Sequence, residues 1–185
     1  LSCNDFTPKI AKTSDFLILY NNLPKDVREQ VKYEATLFEF LFHRMAKHYQ
    51  DKSNADQIGG ETEPWWLPAE EFVRLNIDTI SGNPLMKCLK IYQGLIAYNL
   101  RQSHEEVLIY NDYKRYGFIN GILQKGDRYI AAMEALKKQH ADHPLSASIT
   151  SLIAKQLINQ YESHAETPAY ADNFKKAKKM CEETM

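Results

Sequence analysis

The chain has 185 residues, 44% of them apolar and 25% charged, with 23 basic residues against 24 acidic ones. A chain of this length buries roughly 70% of its unfolded surface without a metal or disulfide, and the apolar fraction excludes intrinsic disorder. A net charge of −1 leaves no field that would hold nucleic acid or an anionic membrane.

No run approaches the roughly 18 apolar residues of a bilayer-spanning helix, and no basic-then-apolar leader opens the chain. Leu1-Ser2-Cys3 has the form of the tail of a lipoprotein signal, with Ser before the Cys that would carry lipid, but lacks the apolar stretch upstream. The three cysteines, at 3, 88 and 181, show no Cys-x-x-Cys spacing and imply no disulfide framework. Cys88 and Cys181 are expected to pack as small apolar groups.

In chain order, Ser14 and Asp15 precede a short helical turn of Phe16, Leu17, Leu19 and Tyr20, which Asn21, Asn22 and Pro24 would stop. A long helix is then predicted from Lys25 or Asp26, with Val27, Val31, Ala35, Phe38, Leu41, Phe42, Met45 and Tyr49 keeping a helical period. From Asp51 to Pro68 the period fails, and Gly59-Gly60 and Pro64-Trp65-Trp66-Leu67-Pro68 mark a loop. Its two indoles either cover an apolar face of the same chain or meet a partner. Pro68 to Val73 reads as a short helix with two glutamates in its first turn.

Asn83-Pro84 pairs a capping side chain with Pro at the first helical position and opens a helix to about Leu100. Leu85, Cys88, Leu89, Tyr92, Leu95 and Ile96 form its stripe, and Gly94 allows a close helix crossing. Ser103 with Glu106 reads as a capping box for the next helix, which carries Val107, Tyr110, Tyr113 or Lys114, Gly117 and Ile122 to about Leu123. Asp127 is expected to cap the helix of Tyr129, Ala132, Met133 and Leu136. Asp142-His143-Pro144 then breaks the chain before a helix from Leu145 to Tyr161, with Ile149, Leu152, Ile153 and Leu157 on its stripe. Thr167-Pro168 repeats the cap-plus-Pro device before Tyr170, Phe174, Ala177 and Cys181, a last amphipathic helix that implies a polypeptide continuing past Met185.

Tyr129, Ala132 and Leu136 recur as Phe174, Ala177 and Cys181, each 45 positions later, with one helix between. This is the pattern of stacked helical hairpins. The predicted fold is therefore all-α: a right-handed, tetratricopeptide-like solenoid of stacked antiparallel helix pairs with seven or so helices. Residues 1–185 would form a single all-helical domain, a fragment of a larger multidomain chain. Its buried set should include Phe38, Leu41, Phe42, Met45, Leu89, Tyr92, Ile96, Leu136, Ile149, Leu152, Ile153 and Leu157.

The chemistry-bearing residues form no catalytic or metal pattern. His43 and His48 are five apart and face different ways, and His140 and His143 flank a break, where capping or surface roles suit them. Ser151 and Lys155 lie one helical turn apart without an oxyanion hole in prospect, and Ile58-Gly59-Gly60-Glu61 lacks the lysine of a phosphate loop. No catalytic residue, cofactor or metal is predicted.

Taken in order, Ala35-Thr36-Leu37-Phe38-Glu39-Phe40-Leu41, Trp66-Leu67-Pro68-Ala69-Glu70-Glu71-Phe72-Val73, Ile91-Tyr92-Gln93-Gly94-Leu95-Ile96-Ala97-Tyr98, and Asp127-Arg128-Tyr129 with Ala135-Leu136 resemble consecutive parts of one region. His143-Pro144-Leu145-Ser146-Ala147 and Phe174-Lys175-Lys176-Ala177 through Cys181 continue it. That region is the N-terminal helical part of the bacterial alpha-2-macroglobulin family, large cell-envelope proteins related to protease-trapping inhibitors, and the resemblance covers roughly Tyr33 to Cys181. It implies a non-catalytic scaffold or docking domain in the periplasm or at the cell surface, in a parent that would be lipid-anchored, with other domains of that polypeptide or other proteins as partners. The chain departs from the family in having neither a Cys-x-Glu-Gln thioester, since Glu182-Glu183-Thr184 follow Cys181, nor a bait region.

Two other classes stay open. A tetratricopeptide-like adaptor would read a partner's carboxylates with Asn111, Lys114 and Arg115, and with Trp65 and Trp66 these make up the candidate interaction surface. An unrecognised enzyme would instead require a deep polar pocket with displaced pKa values.

Overall fold

The computed structural model describes residues 33–34, 36–77, 82–164 and 166–183. Among these the protein is all-helical, without strands. Seven α-helices follow one another: α1 (Leu37–Gln50), α2 (Ala69–Phe72), α3 (Pro84–Gln102), α4 (Glu105–Leu123), α5 (Gly126–Gln139), α6 (Leu145–Ser163) and α7 (Asn173–Glu182). Short 3-10 turns lie at Ala55–Gln57, Glu63–Trp66 and Pro168–Tyr170. The expected turn at Phe16–Tyr20, the Cys3 site and the helix segment before Tyr33 lie outside the described residues.

Helix starts are set by side chains that satisfy free amide groups. The helix expected to run on from Lys25 or Asp26 is interrupted before Leu37, where α1 begins, because Thr36 takes an extended conformation and closes a capping box with Glu39. The Glu39 amide donates to Thr36 Oγ1 at 3.2 Å, and the Thr36 amide donates to Glu39 Oε2 at 2.9 Å. Asn83 caps α3 as expected, accepting from the amides of Leu85 and Met86, and Pro84 occupies the first helical position.

Two other expected caps are not formed. Ser103 ends α3 in the left-handed conformation at φ 55°, which a two-residue connection to α4 requires, so it cannot also be the extended cap of α4. Asp127 lies inside the first turn of α5, where its carboxylate accepts from Gln160 Nε2 at 2.7 Å instead of from its own helix. At α6 the N-cap is Pro144, and the preceding His143 accepts from the Leu145 amide through Nδ1 at 3.2 Å.

Packing follows chain order. α3 packs on α1, α2 and α4; α5 packs on α4 and α6; α7 packs on α6; and α4 also reaches α6. Two apolar cores result. One gathers Leu85, Cys88, Leu89, Leu95 and Ile96 of α3 with Phe72, Trp65 and Ala46. The other gathers Ile109 and Tyr110 of α4 with Met133, Leu136, Ile149, Ile153 and Ala177. Trp66 packs against both. Gly94 permits the crossing of α1 and α3, since a Cβ there would stand 3.2 Å from Phe42 Cε1.

The apolar stripe of α3 is buried as predicted, and so are Leu136, Ile149, Ile153 and Leu157. On α1 the expectation fails: Leu41 and Met45 are 49% and 45% exposed, and Phe38 and Phe42 are only partly covered, as is Leu152 of α6. Among the described residues α1 packs chiefly on α3, so its contact face there is narrower than its apolar face. The 45-residue repeat is likewise not matched in burial, since Tyr129 and Leu136 are buried but Phe174 and Cys181 are exposed.

Candidate functional site

The five residues of the expected interaction surface sit around α4, and most of them face inward. Arg115 is fully buried, sandwiched between Phe72 and Tyr116 with its guanidinium carbon 4.0 and 4.3 Å from the two ring centres. Its Nε donates to Asp112 Oδ1 at 2.9 Å, Nη1 to the Trp65 carbonyl at 2.8 Å, and Nη2 to the Leu67 carbonyl at 2.7 Å. Tyr116 Oη donates to the same Leu67 carbonyl at 3.2 Å. One cation thus satisfies the backbone of the 3-10 turn that carries the tryptophans and pins that turn to α4.

Three residues must therefore be withdrawn from the surface. Arg115 is consumed by the loop, Trp65 is 6% exposed in the α3 core, and Asn111 is fully buried with neither amide atom partnered among the described residues. Trp66 is partly buried, with its ring 6.1 Å from that of Tyr116. The polar letters of α4 resembled a solvated face because nothing in them shows that loop carbonyls and an i,i+3 carboxylate wait inside. Burial pushes the Asp112 carboxyl upward, and Arg115 opposes that shift.

Lys114 alone of the charged pair remains near a surface. It lies half-buried, its ammonium 5.3 Å over the Tyr110 ring, and burial lowers its pKa against the pull of Glu34. Around it is an ionisable cluster that the sequence did not suggest. Glu34, 1% exposed, takes a bond from Arg44 Nη2 at 3.1 Å, and His43 stands edge-on to Tyr110. Burial raises Glu34 to about 7 even though Arg44 opposes it, while burial, then Arg44 and Lys114, lower His43 to about 4. The ten-residue separation of Glu34 and Arg44 across a helix start carries no sequence signal.

Beside Lys114 runs a groove of about 460 Å³ along one face of α4. Tyr113, Gly117 and Gly121 succeed one another at four-residue spacing, with Phe118 and Ile122 on the next row. Gln50 from the end of α1, Tyr129 of α5 and Leu152 of α6 complete the walls. A Cβ on Gly117 or Gly121 would meet nothing within 4 Å. Among the described residues no group of three His, Cys, Asp or Glu could hold a metal ion, and no helix is long and apolar enough to cross a membrane. No protein-family model, curated protein or solved structure matches the chain.

Proposed function

We propose that this chain is a non-catalytic docking domain that receives a polypeptide segment along the glycine-floored groove of α4. The observation that carries the proposal is the pair Gly117 and Gly121. Each glycine inside a helix costs about 1 kcal/mol relative to alanine, so an internal glycine calls for a compensating contact. Gly94 has one in Phe42, and Gly126 has one in the amides of Gln156 and Gln160. Gly117 and Gly121 have none among the described residues, and they form the floor of a cleft walled by two tyrosines, a phenylalanine and two aliphatic side chains. Bare backbone between aromatic walls suits close approach by another main chain.

The arrangement assumed is a right-handed, tetratricopeptide-like stack of antiparallel helix pairs, which the chain-order packing and the α4 to α6 contact support. Under the family resemblance, the occupant is another part of an alpha-2-macroglobulin-like envelope polypeptide, in the periplasm or at the cell surface. Under the adaptor alternative, it is the tail of a separate protein, with Lys114 at the groove's edge in place of the three-residue carboxylate reader.

A displayed random-peptide library selected against the protein tests the proposal. Wild type should enrich sequences whose binding saturates, and Gly117→Leu/Gly121→Leu should abolish it without unfolding, because both positions open on empty space. Undiminished binding by the double variant would refute the groove as the docking site. Sequences from the same polypeptide would favour the envelope-protein version, and free carboxyl-terminal tails the adaptor.

A further inference from the structure

A second cleft, of about 310 Å³, lies where the end of α4, the start of α5 and the last turns of α6 converge. Its walls carry five primary amides, Asn120, Gln124, Gln156, Asn159 and Gln160, with Ser163 and the rings of His164 and Tyr170 closing one side. No Asp, Glu, Lys or Arg lines it. Apart from the His164 ring, such a wall has nothing to neutralise a phosphate, carboxylate or ammonium, and it has too little apolar surface for a lipid. Each amide instead offers one donor group and one acceptor side by side, the same duality that a sugar hydroxyl presents. The two rings, 5.4 Å apart between centres, supply a face for the C–H side of a pyranose.

Four of the five amides, all but Asn159, are held in place. Asn120 Nδ2 donates to Gln156 Oε1 at 3.1 Å, and Gln160 is fixed at both ends, donating to Asp127 at 2.7 Å and accepting from Asn173 Nδ2 at 3.0 Å. Gly126 makes room for them, because a Cβ there would stand 2.5 Å from Gln156 Nε2 and 2.7 Å from Gln160 Nε2. Gln156 Nε2 and the whole Asn159 amide have no hydrogen-bond partner among the described residues, and Asn120 Oδ1 is buried without one. Asn120, Gln156 and Gln160, held by these bonds, give the cleft a preorganised wall with unspent donors and acceptors, beside which the exposed Asn159 amide is free to turn toward a ligand. We propose that this cleft binds a neutral saccharide of mono- or disaccharide size, whose hydroxyls bridge Gln156 and Asn159 while its ring packs on Tyr170. The volume lies at the lower end of the roughly 300–1,000 Å³ usual for small-ligand sites, as a ligand of that size requires.

The probes are glucose, galactose, mannose and N-acetylglucosamine, each titrated to about 50 mM into ¹⁵N-labelled protein while side-chain amide resonances are followed. At least one sugar should shift the Gln156 and Asn159 resonances saturably, with a Kd on the order of 1 mM. Methyl glycosides separate the two sources of the ligand: they bind as well as the free sugar if the natural ligand is a linked glycan residue, and lose binding if a free anomeric hydroxyl is needed. Asn159→Leu alters an exposed side chain without a partner, so the fold is kept and binding should weaken about tenfold; Gln156→Leu, which also strips Asn120 of its acceptor, should weaken binding at least as much. The proposal is overturned if no sugar gives a saturable shift, if Asn159→Leu binds like wild type, or if acetamide reproduces the shifts at equal concentration.

Discussion

Replacing Glu34 by Gln should change how the stability of the fold depends on pH, in a direction opposite to that of replacing His43 by Phe. Glu34 is buried and its carboxyl is raised from 4.5 to about 7, so the folded state holds a proton that the unfolded state has released. Its stabilising contribution is complete below pH 4.5 and is lost as pH rises through about 7. His43 is lowered from 6.5 to about 4, so the unfolded state takes up a proton that the folded state refuses. Its contribution is complete above pH 6.5 and is lost as pH falls through about 4. Each is worth about 3 kcal/mol over its window, at about 1.4 kcal/mol per pH unit. Between roughly pH 4.5 and 6.5 the two slopes cancel in the wild type. Urea unfolding followed by circular dichroism across that range should show wild type losing stability relative to Glu34→Gln as pH rises, and gaining it relative to His43→Phe. A difference between wild type and Glu34→Gln that stays constant with pH, within about 0.5 kcal/mol, would refute the assignment of Glu34 as a buried, proton-holding carboxyl.

Three further outcomes follow from the packing. Arg115→Met should destabilise by about 3–5 kcal/mol, because it leaves Asp112 buried without its cation and the Trp65 and Leu67 carbonyls without donors; a melting temperature close to wild type would contradict the staple. Ile153→Ala, at a fully buried position, should cost about 2–5 kcal/mol, whereas Leu41→Ala, about half exposed, should cost well under 1 kcal/mol; equal losses in chemical denaturation would show that α1 is covered where Leu41 stands. Asn83→Ala should lower stability by about 1–2 kcal/mol through the loss of the α3 cap and of the bond from Asn83 Nδ2 to the Gln57 carbonyl, and an unchanged thermal unfolding midpoint would contradict both contacts.

Local signals in this chain were legible where one residue type answers one backbone need. Asn83-Pro84 opened a helix, Gly94 admitted a crossing helix, and the α3 stripe from Leu85 to Ile96 went inside. The Thr36-x-x-Glu39 box was equally readable, yet the apolar period running through it from Val27 suggested continuity, and the cap prevailed because it satisfies amides that the period cannot. Ser103 with Glu106 had the same form and failed, since the two-residue turn claimed Ser103 for the end of α3.

The candidate sites belong to the other category. Polar residues of α4 read alike whether they face water or loop carbonyls, so Arg115 and Asn111 were placed outside while the fold buries both. The amide-lined cleft gathers residues from positions 120 to 170 that share no motif, and Glu34 meets Arg44 only because α1 starts between them. Helical class and the start of α3 at Asn83-Pro84 come from the sequence by itself, because periodicity and capping act over a few residues. Which polar groups are buried, which glycines are left facing open space, and which amides share a cleft were decided by tertiary packing alone, because burial depends on neighbours distant in the chain.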